Sequence, residues 1–158
     1  ANNSRLIDAL LGDECAVCIT HLDGLVFARS AFRHSMNYRS VVIHGRFVAV
    51  DAEKDKEMAM IAFLEHVSPG RMAQVRPPST AELAGTRILR LPLAEAAAKI
   101  RNWGPDDKAE DMAIPVWAGV VPLAMQAGAP TPAIGCASGA PPELPRALNG
   151  QIETERPS

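Results

Sequence analysis

"HSMNYRSVVIHGRFVAVD", residues 34–51, is the stretch on which the fold turns. Val41, Val42, Ile43, Phe47, Val48 and Val50 suit a pleated, half-buried surface, so the run reads as one long β-strand. Yet it spends His34, Tyr38, Arg39, Ser40, His44 and Arg46 on polar or cationic groups. A strand with one wet face explains that pattern, and so does a strand lining a site for an anionic, aromatic ligand. Alternation sends Tyr38, Ser40, His44 and Arg46 to one face and Arg39 to the other. A regular strand therefore cannot turn Tyr38, Arg39 and Ser40 toward one ligand; either a bulge intervenes, or Arg39 serves solvent or a partner subunit.

The neighbouring residues extend the β reading. "ECAVCITHL" (14–22) is β-branched and apolar, and Asp23-Gly24 after it has the form of a tight hairpin turn, so "LVFARSAF" is expected to pair back on "AVCITHL". In such a strand Cys15 and Cys18 point to opposite faces, which removes the redox or zinc reading of C-A-V-C. His21, His34, His44 and His66 show no helical ligand spacing, and no metal site is expected.

Helical signals flank this β region. "NNSRLIDALLGDE" (2–14) offers Asn3 or Ser4 as an N-cap, a stripe of Leu6, Ile7, Leu10 and Leu11, and a terminating Gly12. From Asp51 the period changes: an acidic first turn precedes Met60, Ile61, Leu64 and Val67, and the helix should stop before Pro69-Gly70. Ser79 and Glu82 have capping-box spacing. "TRILRLPL" (86–93) alternates as a strand, "AEAAAKIRNWG" (94–104) reads as a short helix or turn, and "DMAIPVWAGVVPLAMQ" (111–126) is an edge or bulged strand because Pro115 and Pro122 cannot donate ladder hydrogen bonds. Six of the thirteen prolines fall beyond Gly128. Residues 1–127 are thus expected to form the folded domain, with 128–158 an extended, disordered or draped tail.

A chain of 158 residues, 47% hydrophobic and 22% charged, suits one globular domain with a real core. A net charge of −2 gives no general attraction to nucleic acid or an anionic membrane. No apolar run is long enough to span a bilayer, and the first residues lack a signal peptide's pattern, so the cytoplasm is the expected location. Neither G-x-G-x-x-G nor the P-loop occurs. The element order indicates an α+β protein, mainly antiparallel β.

Four blocks carry a family resemblance: "NNSRLIDAL" (2–10), "CITHLDGLVFARSAFRHSMNYRSVVIHGRFVAVD" (18–51), "EHVSPGRMAQVRPPSTAEL" (65–83) and "DMAIPVWAGVVPL" (111–123). In order, they resemble the flavin-nucleotide-binding branch of the pyridoxamine phosphate oxidase-like superfamily, which includes nitroimidazole reductases; "SAFRHSMNYRSVVIHGR" is the most specific block. The resemblance implies an FMN-binding split β-barrel that forms a homodimer, with flavin held between subunits. Members of that branch carry further residues ahead of the "NNSR" position, including the first barrel strands, so the sequence is expected to be the later portion of a longer chain; without those strands the barrel would have unpaired edges and an incomplete flavin site.

The resemblance also assigns site residues. Ser4 and Arg5 would bind the flavin phosphate, a role suited to free N–H groups at a helix start and a guanidinium that can hold two oxygens; the plainer reading is a cap and a solvated first-turn residue. Tyr38, Arg39 and Ser40 would run past the flavin ring and ribityl chain, Ser40 and Tyr38 ranking above Arg39 for contact. Trp117 would lie near the ring or the dimer seam, against the plainer reading of a core tryptophan. No catalytic acid, base or nucleophile is marked. The implied function is an FMN-dependent oxidoreductase that reduces a small molecule with electrons from a nicotinamide donor. The alternatives are a flavin- or haem-binding module without turnover, or a dimeric structural domain that has lost its ligand.

Overall fold

The computed structural model describes residues 4–136 and 139–145, which are mostly antiparallel sheet with a few helices. In chain order the elements are α1 (Arg5–Gly12), β1 (Glu14–Phe27), β2 (Ser35–Arg46), β3 (Val48–Val50), α2 (Glu53–Val67), α3 (Thr80–Gly85), β4 (Ile88–Arg90), β5 (Glu95–Arg101) and β6 (Gly119–Pro122). The chain divides into two compact units. One comprises Gly12–Phe47 and Leu91–Ala124; the other comprises Ala1–Leu11, Val48–Arg90 and Met125–Ser158.

The first unit is a four-stranded antiparallel sheet in the order β5-β2-β1-β6. Its long central pair places Cys15 opposite Gly45, Val17 opposite Ile43, Ile19 opposite Val41 and Thr20 opposite Ser40. The expected hairpin at Asp23-Gly24 does not form, and "LVFARSAF" does not pair back on "AVCITHL"; β1 runs straight through. The reversal lies at residues 28–34, where a 3-10 turn at Ala31–Arg33 is closed by the Arg33 N–H donating to Ser30 O at 3.0 Å. Two ion pairs brace it, Arg29 to Asp107 and Arg33 to Asp106, each at 2.8 Å.

What Asp-Gly encodes instead is a bulge. Leu22 faces Tyr38 and Gly24 faces Asn37, so Asp23 is the extra residue. Its carbonyl accepts from the Leu123 N–H at 2.9 Å, and its carboxylate accepts from Arg39 Nε and Nη2, both at 2.9 Å. Gly24 is required by close approach of β6: a Cβ there would stand 3.1 Å from Val120 Cγ1 and 3.2 Å from Val121 O.

A second correction concerns residues 94–104, which form no helix or turn of the expected kind. β5 pairs with β2 from Tyr38–Arg101 to His44–Glu95. Alanine's helix preference is worth only tenths of a kcal/mol per residue, less than the pairing and cross-strand contacts offered by the free edge of β2. The opening stretch is also two strands rather than one, since the chain leaves the sheet at Phe47 and β3 pairs with β4. Gly45, just before the break, has φ +156°, and a Cβ there would meet Leu91 Cδ1 at 3.2 Å. β4 covers only Ile88–Arg90, shorter than "TRILRLPL", and β6 is the short edge strand that the prolines required.

The other unit contains α1, the β3-β4 ribbon, α2 and α3. Asn3, one of the two expected caps of α1, lies outside the described residues, whereas Ser4 O accepts the first helical bond from the Asp8 N–H at 3.2 Å. α2 starts with Glu53 and Asp55 and ends where expected, the Ser68 N–H donating to Leu64 O at 2.9 Å. The Ser79–Glu82 capping box is present in both directions. Of the proline-rich stretch, the described residues contain no helix or strand, but Glu143 O accepts a 2.9 Å bond from Ser68 Oγ. Val26, Ala28 and Ile43 are buried in the sheet unit and Leu83 in the other.

Candidate functional site

Pairing register sorts the sheet into two faces, because directly opposed residues share a face. One carries Val17, Ile19, Val41, Ile43, Ala96, Ala98 and Ile100, with His21 and Arg39 at its end. The other carries Cys18, Thr20, Leu22, Met36, Tyr38, Ser40, Val42 and Lys99. As alternation required, Tyr38 and Ser40 lie together and Arg39 lies behind them. Arg39 is engaged by Asp23, and that guanidinium is the main reason the Asp23 carboxyl is held below the ordinary carboxylate range.

The polar face is built in rows. Thr20, Ser40 and Lys99 stand side by side on β1, β2 and β5. Thr20 Oγ1 donates to Ser40 Oγ at 3.1 Å, with the Cys18 thiol 3.6 Å from the first hydroxyl and 4.0 Å from the second. Lys99 Nζ sits 6.0 Å from the centroid of the Tyr38 ring, at the limit of a cation–π contact. Cys15 is on the opposite face from Cys18, its thiol donating to Gly45 O at 3.3 Å.

Toward the start of β2, beyond Met36, the same face becomes aromatic. Phe27 packs edge-on to His34 with centroids 5.7 Å apart, and 5.9 Å from Trp117. Trp117 is not core; it is 64% exposed, its ring lying over Gly119, where a Cβ would come within 3.0 Å of it. Between the two ends stand Leu22 and Met36, both exposed. The surface therefore grades from aromatic and thioether groups to hydroxyls and a cation, which matches an extended amphiphilic ring system better than a compact polar solute.

Ser4 and Arg5 belong to the other unit, at the start of α1. Arg5 is exposed, and first-turn N–H groups leave donors available there, but Asp8 adds a carboxylate of its own. An apolar groove of about 620 Å³ in that unit is lined by Met60, Phe63, Leu64, Met72 and Ile88, among others, and holds none of the predicted site residues. Its charged groups satisfy each other: Arg76 donates to Glu82 at 2.6 and 2.8 Å. That contact first, and the Ser79 N–H second, hold the Glu82 carboxyl far below its ordinary range. The groove thus lacks free polar groups that would orient a ligand.

Thr20 and Lys99 join Ser40 on this face without being marked by the sequence reading. Thr20 lay in a recognised strand and could have been found by aligning it with Ser40. Lys99 could not, because its segment read as helix or turn. Among the described residues no group of three or more histidines, cysteines or carboxylates could hold a metal, and no helix is long and apolar enough to cross a membrane.

Two solved structures share this fold. The flavocytochrome Anf3 from Azotobacter vinelandii is 34% identical with a TM-score of 0.80, over 92% of this chain and 67% of that one. The FAD and haem binding protein from Mycobacterium smegmatis is 40% identical with a TM-score of 0.81, over 91% of this chain and 70% of that one. No curated protein matches. The family model for pyridoxamine 5'-phosphate oxidase matches residues 1–100. With the antiparallel sheet in accord with the split-barrel fold, this chain belongs to the pyridoxamine 5'-phosphate oxidase family.

Proposed function

We propose that this protein binds a flavin nucleotide against the polar and aromatic face of its four-stranded sheet and uses it to pass electrons from a nicotinamide donor to a small molecule. The observation that carries the reading is the convergence of Tyr38, Ser40 and Thr20 on one face that continues to Phe27 and exposed Trp117. Hydroxyls suit the heteroatom edge and ribityl chain of a flavin, while the aromatic and thioether groups suit its ring. Arg39 is assigned to the bulge ion pair with Asp23 rather than to the ligand. For Ser4 and Arg5 the family resemblance implies contact with a flavin phosphate, a role suited to the opening N–H groups of α1 and to a guanidinium.

When bound, the flavin supplies the hydride and electron chemistry. The chain's own groups orient it, and the apolar residues around them keep water from its ring. FMN is the nucleotide the family resemblance favours; the FAD named for the mycobacterial relative makes FAD the competing choice. Two copies would form the working unit, and the cytoplasm is its proposed location. A second reading, a flavin- and haem-binding protein without turnover on small molecules, is favoured by the haem named for that same relative and by the flavocytochrome description of the other.

Reconstitution separates these readings. The purified chain is titrated with FMN, FAD and haemin and followed by visible absorbance, then mixed anaerobically with reduced nicotinamide nucleotide. Flavin uptake followed by bleaching supports the oxidoreductase; uptake without bleaching supports the binding module; no uptake removes both. Arg5→Ala should weaken flavin retention at least tenfold, the loss of one charge-assisted phosphate contact, while leaving Tm nearly unchanged. Equal occupancy in variant and parent would count against the phosphate assignment.

A further inference from the structure

We propose that Lys99 sets the electron affinity of the bound flavin by placing its ammonium group at the electronegative edge of the ring, N1 and the C2 carbonyl. This rests on the flavin reading above and adds to it a residue that determines the cofactor's chemistry.

The placement follows from the sheet. Lys99 is directly opposite Ser40 on β2, and Ser40 is directly opposite Thr20 on β1. Strands in a sheet are about 4.8 Å apart, so the Lys99 backbone is one strand from Ser40, whose hydroxyl is bridged to Thr20 at 3.1 Å. It also lies near the Tyr38 ring. Lys99 is exposed, and no carboxylate comes within ion-pair distance of it among the described residues. The other positive groups around the sheet are engaged: Arg39 by Asp23, Arg29 by Asp107 and Arg33 by Asp106. Arg101, next on β5, donates to Asn37 Oδ1 and to the carbonyls of Trp103 and Gly104. His44 and Glu95 occupy the far end of the same face, two rows from the Lys99 row. An ammonium without an ion-pair partner, on the face that carries the two hydroxyls, is equipped to meet developing negative charge.

The chemistry is specific. Reduction of a flavin by two electrons places negative charge on the N1–C2=O locus, and a cation there favours the reduced form. Sulfite reports the same property without turnover: its sulfur lone pair adds to N5 of the oxidised ring, and the electron pair moves to N1–C2=O.

The test uses the full chain loaded with whichever flavin it retains. Parent, Lys99→Met and Lys99→Arg are titrated with sulfite, and their flavin potentials are measured against reference dyes. Lys99→Met should raise the sulfite dissociation constant at least about tenfold and lower the two-electron potential by about 30 mV for each tenfold. Lys99→Arg should stay within about threefold of the parent, since it keeps the charge. Should the parent form no sulfite adduct, the potentials decide. A Lys99→Met protein that holds flavin with the parent's potential and sulfite affinity overturns the assignment while leaving the flavin reading intact. A parent that takes up neither FMN nor FAD overturns the flavin reading, and the role of Lys99 falls with it.

Discussion

The two faces of the four-stranded sheet are made by alternate residues of the same strands, yet they differ in chemistry. On one, Val17, Ile19, Val41, Ile43 and Ile100 form an apolar surface closed at its end by the Asp23–Arg39 ion pair. On the other, Thr20, Ser40 and Lys99 form a polar row that leads past Tyr38 to Phe27 and Trp117. The difference teaches that position 39 or 40 decides whether a side chain joins the apolar face and its ion pair or the face proposed for the ligand. A period of two converts one residue of sequence into a change of role.

The largest effect expected from breaking this contrast lies on the apolar side. Val26 is 1% exposed, and Val26→Asp buries a carboxylate without a partner, so the folded state should be lost, or weakened by more than about 3 kcal/mol, as circular dichroism and urea denaturation would show. Retained parent stability would mean the site is wetter than its packing implies.

A smaller loss is expected from Asp107→Asn. The Asp107 side chain is almost wholly covered, accepts from both the backbone N–H and the guanidinium of Arg29, and is held below its ordinary pKa by the backbone bond first. The amide keeps the shape but loses the charge opposite Arg29, whose Nε is already buried without a partner. Tm should fall clearly, and by more than for Arg39→Ala.

The smallest effect belongs to the bulge. Arg39→Ala should cost at most about 1 kcal/mol, because its guanidinium is largely solvent-exposed. Its pH signature has a definite sign. The folded Asp23 carboxyl is below its ordinary value, so its contribution is present above about pH 4 and disappears as pH falls through the lower folded value. The parent should therefore lose slightly more stability than Arg39→Ala as pH falls from about 4 through that lower folded value. Identical acid profiles would remove Asp23 from the account.

Much of this organisation was legible in the sequence, for local physical reasons. The separation of Tyr38 and Ser40 from Arg39, and of Cys15 from Cys18, needs only a strand's period. The Ser79–Glu82 box needs only four residues. What failed needed a partner strand. Asp23-Gly24 has the composition of a turn, but β6 packing against Gly24 and Arg39 reaching Asp23 make it a bulge within a straight strand. The alanines of β5 look helical until β2 offers them an edge, and with that strand unseen the Thr20–Ser40–Lys99 row could not be assembled.

The most direct measurement compares neighbours. Ser40→Leu and Arg39→Leu are titrated with flavin beside the parent, with Tm recorded for each. The account predicts that Ser40→Leu loses at least tenfold in flavin affinity, by steric block and a lost hydroxyl, while Arg39→Leu binds as the parent does. Loss at position 39 with retention at position 40, or equal behaviour at both, would contradict it.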